Sequence, residues 1–197
     1  MRRIRLGMVG GGQGSFIGAV HRIASRIDDR FVLVAGALSS DGDRAVASAT
    51  ELGIDAGRSY GDFEEMAAAE AGRADGVEAV AIVTPNHLHA APAIAFLKAG
   101  IHVICDKPLA ASMAQAEALD KAVAESAAQF FLTHNYTGYP LIRQAREMVA
   151  AGALGTLRVV QVEYAQDWLA DHWKQPVTSR HPGARIRCVP GLVRLVI

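Results

Sequence analysis

Two short stretches carry the side chains best able to do chemistry: Thr84-Pro85-Asn86-His87-Leu88-His89 and Cys105-Asp106-Lys107-Pro108. A lysine beside a proline that fixes the turn can stabilise an alkoxide as a hydroxyl loses its proton. Asp106 can orient that lysine or simply pair with it, and a solvated surface role for Lys107 is the plainer alternative. His87, His89, His102 and His134 do not form a metal set. Two of them sit on one loop, two residues apart, and no carboxylate or thiolate completes a zinc spacing. Asn135 and Tyr136 follow another apolar run and are open to a ligand contact or to capping and packing.

Each chemical stretch follows a short apolar run, Ala79-Val80-Ala81-Ile82-Val83 and Ile101-His102-Val103-Ile104. β-Branched runs alternating with alanine-rich helical segments predict parallel strands buried on both faces. Ligands of such sheets collect beyond the carboxyl ends of the strands, so Lys107 and the histidine loop are expected on one rim. Further strands are expected at Phe31–Ala37 and over 129–133, with helices over 42–52, 63–71, 92–98, 112–127 and 140–151. Pro92 suits a first helical turn, which leaves 85–90 as loop.

The chain opens with a strand, Ile4 to Val9, running into Gly10-Gly11-Gly12-Gln13-Gly14-Ser15-Phe16-Ile17-Gly18. A helix over 19–27 should follow, burying Val20, Ile23, Ala24 and Ile27. Strand, glycine loop and helix form the context in which a backbone can approach a pyrophosphate. Gly10, Gly12, Gln13, Phe16 and Ile17 are the candidate dinucleotide contacts in this loop. Ser15 stands where a strict G-x-G-x-x-G has its third glycine, and Gly18 serves only if the loop carries about three extra residues. The alternative is a glycine-rich turn with no ligand. After the second strand, Ser39, Ser40 and Arg44 can accept a 2′-phosphate, whereas Asp41 can hold a free ribose. Ser40 or Asp41 can equally cap the next helix. NAD and NADP therefore both remain open, with the two hydroxyls and the arginine leaning the reading slightly to NADP.

The 197 residues hold 20 lysines and arginines against 20 aspartates and glutamates, so no net field recruits nucleic acid or an anionic membrane. No apolar run approaches the ~20 residues of a membrane span. No secretory signal is recognisable, and a cytoplasmic location is expected. Cys105 and Cys188 read as free thiols. From Gly155 the texture changes, and Leu157 to Tyr164 alternates as a half-buried antiparallel strand. No acidic residue follows Asp171, while Lys174, Arg180, Arg185, Arg187 and Arg194 accumulate. Residues 171–197 are expected to be an aberrant, frameshifted or irregular tail rather than a basic binding arm.

Taken together, Gly18-Ala19-Val20-His21, Thr84-Pro85-Asn86-His87-Leu88-His89, Cys105-Asp106-Lys107-Pro108 and Ala151-Gly152-Ala153-Leu154-Gly155 resemble the Gfo/Idh/MocA family of NAD(P)-dependent oxidoreductases. Asp106 replaces the glutamate of that family's Glu-Lys-Pro signature. The resemblance implies a Rossmann-type doubly wound α/β domain over 1–135, then a crossover helix and the first strand of a truncated substrate domain over 136–170. It implies NAD or NADP as cofactor, a sugar, cyclitol or related polyol as substrate, and a homo-oligomer for full-length members. Thr84, Pro85, Asn86 and His89 would line the cofactor, with Asp106 beside it, and Lys107 would contact the reacting hydroxyl. The family's later Asp…His pair is not found, and its role is not carried onto His172. A chain so truncated is expected to bind dinucleotide weakly and turn over little. A non-catalytic dinucleotide-binding module and a non-functional gene remnant are the alternatives.

Overall fold

A computed structural model describes residues 2–164 and 193–196 of the chain. The chain divides into two compact units, Met1–His134 and Asn135–Ile197. The first unit is built on β1 (Ile4–Gly10), β2 (Phe31–Ala37), β3 (Ala79–Val83), β4 (His102–Cys105) and β5 (Phe130–Leu132), all parallel in the order β2-β1-β3-β4-β5. Its helices are α1 (Phe16–Arg26), α2 (Gly42–Glu51), α3 (Phe63–Ala71), α4 (Ala90–Lys98) and α5 (Met113–Glu125).

Helices cover both faces of this sheet, as near-continuous apolar strands require. On one face Val80, Ile82, Val103 and Cys105 pack with Met66 of α3, Phe96 of α4 and Leu119 of α5. On the other, Leu6, Met8, Ala79 and Ala81 pack with Ala49 of α2 and with Ile17 of α1. Side-chain hydroxyls and carboxylates fix the helix starts. Asp41, Asp62 and Ser112 accept bonds from the backbone N–H three residues on, at the heads of α2, α3 and α5. α4 begins at Ala90, two residues before its expected start, so Pro92 falls in a first turn whose N–H groups need no helical partner.

The stripe expected to be buried on α1 is not. Ile23 and Ile27 are 63% and 81% exposed, and Val20 and Ala24 are exposed too. The helix is instead rotated to bring Gly18 against the sheet, where a Cβ would run into the Gly11 backbone. Gly18, His21, Arg22 and Ser25 therefore face inward, and the apolar stripe faces out. Backbone approach, not apolar burial, sets the rotation.

In the second unit α6 (Pro140–Ala150) starts on its proline and ends before Gly152, whose φ of 69° suits only a glycine well. β6 (Gln161–Tyr164) pairs antiparallel with β7 (Val193–Val196). The strand expected from Leu157 is thus shorter, because pairing covers only four residues, and it has a partner in the apolar end of the chain. The rest of the predicted tail, with Asp171, His172 and Cys188, lies outside the described residues. No helix among the described residues is long and apolar enough to cross a membrane.

Candidate functional site at the sheet's carboxyl rim

Three loops emerge side by side because their strands are in register. Gly10 pairs with Val83, and Ile82 with Cys105, so the glycine loop, Thr84-Pro85 and Asp106-Lys107 leave the sheet as neighbours. The crossovers part here, β1 to β2 on one side and β3 to β4 on the other, which makes it the ligand crevice of an open α/β sheet.

Gly10 and Gly11 adopt φ of 76° and 78°. Gly12 N–H donates to the Leu38 carbonyl at 3.2 Å, and a Cβ on Gly12 would stand 2.9 Å from that oxygen and 2.8 Å from Ser48 Oγ. The backbone is thereby pinned and bare. Gly18, packed on Gly11, takes the place of the third fingerprint glycine, and Gln13-Gly14-Ser15 forms the three-residue excess. Ser15 closes that insertion by accepting the Gly18 N–H at 3.2 Å. The Phe16 and Ile17 N–H groups are left at the helix end, where an anion is favoured. Arg22 Nη1 donates to the Gly11 carbonyl at 2.6 Å and holds the loop from below.

These residues fit a dinucleotide through their backbone, and only partly through the side chains singled out above. Gln13 N–H donates to Ser48 Oγ at 2.9 Å and its side chain to Glu51 at 3.0 Å, so the residue is directed toward α2. Phe16 is 82% exposed, and Ile17 packs into the core. A cleft of about 380 Å³ opens beside Gln13, Ser15, Arg22, Ser48 and Glu51, without Thr84 or Lys107 in its walls. Just past β2, Asp41 Oδ1 caps α2 through the Arg44 N–H at 2.9 Å, and Ser39 Oγ accepts from Asp41 N at 3.1 Å. The Ser40 and Arg44 side chains are exposed.

On the other side of the crevice Thr84 Oγ1 donates to the Leu88 carbonyl at 2.9 Å, closing a turn that exposes Pro85 and Asn86. His89 is fully buried, with Nδ1 2.6 Å from the Pro108 carbonyl and Nε2 2.9 Å from that of Thr84. Both nitrogens are used within the protein, so His89 has none to offer a cofactor, and its expected place lining the pocket is revised. Asp106 accepts from Thr133 Oγ1 at 3.0 Å and lies 3.6 Å from His21 Nε2. Burial works against its charge, but His21, Thr133 and the Lys107 N–H outweigh burial and hold the carboxyl below its ordinary pKa. Asp106 is therefore paired with His21 and not with Lys107. Lys107 itself is exposed, with no hydrogen bond or ion pair from its ammonium among the described residues.

The sequence reading missed Arg22, Ser48 and Thr133, which support the site from other elements. His21 carried one signal, since it lies one turn beyond Gly18 on the same helix face. Asn135 and Tyr136 fall in the second unit, where the Tyr136 ring meets Tyr139 edge-on at 5.6 Å.

The sequence profile of an oxidoreductase family with an NAD-binding Rossmann fold matches residues 4–134. The chain belongs to the Gfo/Idh/MocA family. Levoglucosan dehydrogenase of Pseudarthrobacter phenanthrenivorans is 34% identical over 174 residues, 87% of this chain and 43% of that protein. A crystal structure of an oxidoreductase from Sinorhizobium meliloti shares 60% identity at a TM-score of 0.81, covering 87% of this chain and 48% of that one. An inositol dehydrogenase homologue from Azotobacter vinelandii, solved with NADH and myo-inositol, is 40% identical with a TM-score of 0.77, covering 87% and 47%. The chain thus spans about half the length of these Gfo/Idh/MocA relatives. Its first unit is the family's NAD-binding Rossmann domain.

Proposed function

We propose that this chain is the NAD-binding part of an oxidoreductase that moves hydride between NAD and a sugar, cyclitol or related polyol. The observation that supports it most is the placement of Lys107. Its two neighbours are anchored, Asp106 by Thr133 and His21 and Pro108 by His89, while Lys107 itself is exposed on the loop after β4, the strand next to β3.

The Gly10–Gly12 backbone and the α1 N-terminus would hold a pyrophosphate, and Thr84, Pro85 and Asn86 would line the nicotinamide side. The bound dinucleotide supplies the hydride acceptor in one direction and the donor in the other. Lys107 would contact the reacting hydroxyl and stabilise its oxygen electrostatically as the hydride leaves the carbon and the hydroxyl proton passes to water. NAD is favoured over NADP because the Asp41 carboxylate, held at the head of α2 by the Arg44 N–H, puts negative charge just past β2, where a 2′-phosphate would need positive charge. The Azotobacter relative was solved with NADH, which agrees.

Fluorescence titration with NADH and NADPH, followed by assays of NAD reduction with myo-inositol and a panel of sugars, tests the reading. NADH should bind more tightly than NADPH. Lys107→Met should hold NADH affinity within about threefold and lower by about 100-fold whatever polyol-dependent NAD reduction the parent chain shows. A chain that binds neither dinucleotide would sink the proposal.

A further inference from the structure

The cleft of about 380 Å³ beside the glycine loop runs away from the rim. α2 leaves the rim at Gly42 and descends about 13 Å to Glu51. The wall it supplies comes from its far half, Ser48, Glu51 and the capping Leu52. On the facing wall Ala19 and Arg22 stand one and two turns below the head of α1. Two charged groups in these walls have unspent bonding capacity. Arg22 is half-buried, and its Nη1 meets the Gly11 carbonyl at 2.6 Å and the Met8 sulfur at 3.6 Å. Its Nε and Nη2 make no hydrogen bond, and the cation no ion pair, among the described residues. Burial and then Arg26 work against its charge, while Glu51 favours that charge without bonding to it. Glu51 Oε2 accepts from Gln13 Nε2 at 3.0 Å, and Oε1 has no donor among the described residues. Ser48 is already engaged, donating to the Arg44 carbonyl at 2.6 Å and accepting the Gln13 N–H at 2.9 Å.

We propose that this cleft is a second ligand site, separate from the dinucleotide crevice, for an α-amino acid with an apolar side chain. The charges select the class. A half-buried guanidinium with unspent N–H groups recruits a carboxylate, which its planar fork matches. A dianion such as phosphate is disfavoured, because the Glu51 carboxylate lines the same space. Glu51 instead suits a cation that donates to Oε1, and the ammonium of a zwitterion brings one with no net charge. Ala19, Leu52 and the exposed ring of Phe16 supply apolar wall for the side chain. The volume falls within the ordinary range of small-molecule sites, about 300–1,000 Å³. Because Arg22 also holds the Gly11 carbonyl, occupancy should be felt in the glycine loop.

The site does not rest on the oxidoreductase reading, and NMR titration of the isotope-labelled full chain with L-leucine tests it. Saturable shifts should appear at the Gly14, Ala19 and Glu51 amides, and at Gly11 through Arg22, with a Kd of about 1–10 mM. Isocaproate and isoamylamine, which lack the ammonium and the carboxylate in turn, should each bind about tenfold more weakly or worse. Glu51→Gln is an exposed change that keeps an acceptor for Gln13. It should weaken L-leucine by about tenfold and leave isocaproate unaffected. No saturable shift at these amides by about 50 mM L-leucine overturns the proposal. Isocaproate binding as tightly as L-leucine overturns it too, as does an unchanged Kd for L-leucine in Glu51→Gln. Full displacement of L-leucine by NADH would make the cleft part of the dinucleotide crevice and also overturn it.

Discussion

His21, on the inward face of α1, lies 3.6 Å from Asp106, the residue that follows β4, and so joins the helix after the glycine loop to the turn that carries Lys107. Burial raises the Asp106 pKa, and the neighbouring His21 ring is the foremost influence lowering it, ahead of Thr133. His21→Leu should therefore move the Asp106 carboxyl upward from its depressed value, as read from its carbon chemical shift across an acid titration. The sign follows from linkage. A depressed carboxyl adds stability above its unfolded-state pKa, and that stability disappears as pH falls through the folded value. The His21→Leu chain should accordingly show a smaller acid-side loss of stability from this group. An unmoved carboxyl would make His21 a bystander.

The glycines of the loop should differ sharply in what they tolerate. A Cβ at position 18 meets the Gly11 backbone, which cannot move without shifting β1 or α1. Gly18→Ala should destabilise the domain by about 1–3 kcal/mol and weaken NADH binding more than tenfold, since it displaces the glycine loop proposed to hold the pyrophosphate. Gly14 has a φ of 79° but nothing within 4 Å of a Cβ. Gly14→Ala should cost only the left-handed strain of about 1–2 kcal/mol and change NADH affinity by less than about threefold. Denaturant midpoints and fluorescence titrations separate the two, and a reversed order would contradict the assigned loop geometry.

The parallel core was legible because β-branched runs such as Ala79–Val83 admit few alternatives, and Phe31–Ala37 was read to its bounds. The glycine loop was legible as a motif, including its three-residue excess. The rotation of α1 was not, since Val20, Ile23 and Ile27 form a good apolar stripe and only the Gly18–Gly11 approach, a three-dimensional fact, overrides it. His89 read as a rim residue because its neighbours Asn86 and His87 are polar and exposed, while the carbonyls that bury it come from another loop. Ser39, Ser40 and Asp41 stayed ambiguous because groups that bind a ribose also cap a helix.

Glu78 gives the fold an acid sensitivity of its own. Arg2 donates to it twice at 2.7 Å, Arg5 N–H donates at 3.0 Å, and these contacts, led by the Arg2 bonds, pull its pKa from 4.5 down to about 2. The contribution is complete above the unfolded-state value and is lost as pH falls from that value through about 2. Glu78→Gln should lower the urea midpoint at neutral pH and flatten its slope over that acid window. A parent and variant with parallel pH profiles would show that the carboxylate is not coupled to folding.

Beneath the sheet lies a buried charge whose removal should be costlier than any surface change. The Glu70 side chain has no exposure and accepts bonds from Arg58 Nε at 2.9 Å, Arg58 Nη2, Tyr60 OH at 2.7 Å and Val77 N–H at 3.0 Å. Glu70→Leu leaves the Arg58 guanidinium, itself only 10% exposed, without its buried partner. The expected loss is about 3–5 kcal/mol by denaturant unfolding. Adding Arg58→Met should recover part of it, because the buried cation left with only the exposed Asp75 for a partner is gone; the Tyr60 and Val77 donors still lack an acceptor, so recovery stays incomplete. Tyr60 reports independently. Burial and then the Glu70 bond push its phenol to about 12, so in any Glu70→Leu chain that folds, alkaline ultraviolet titration should find it lower. A double variant no more stable than Glu70→Leu would mean that the lost hydrogen bonds, and not the stranded charge, carry the cost.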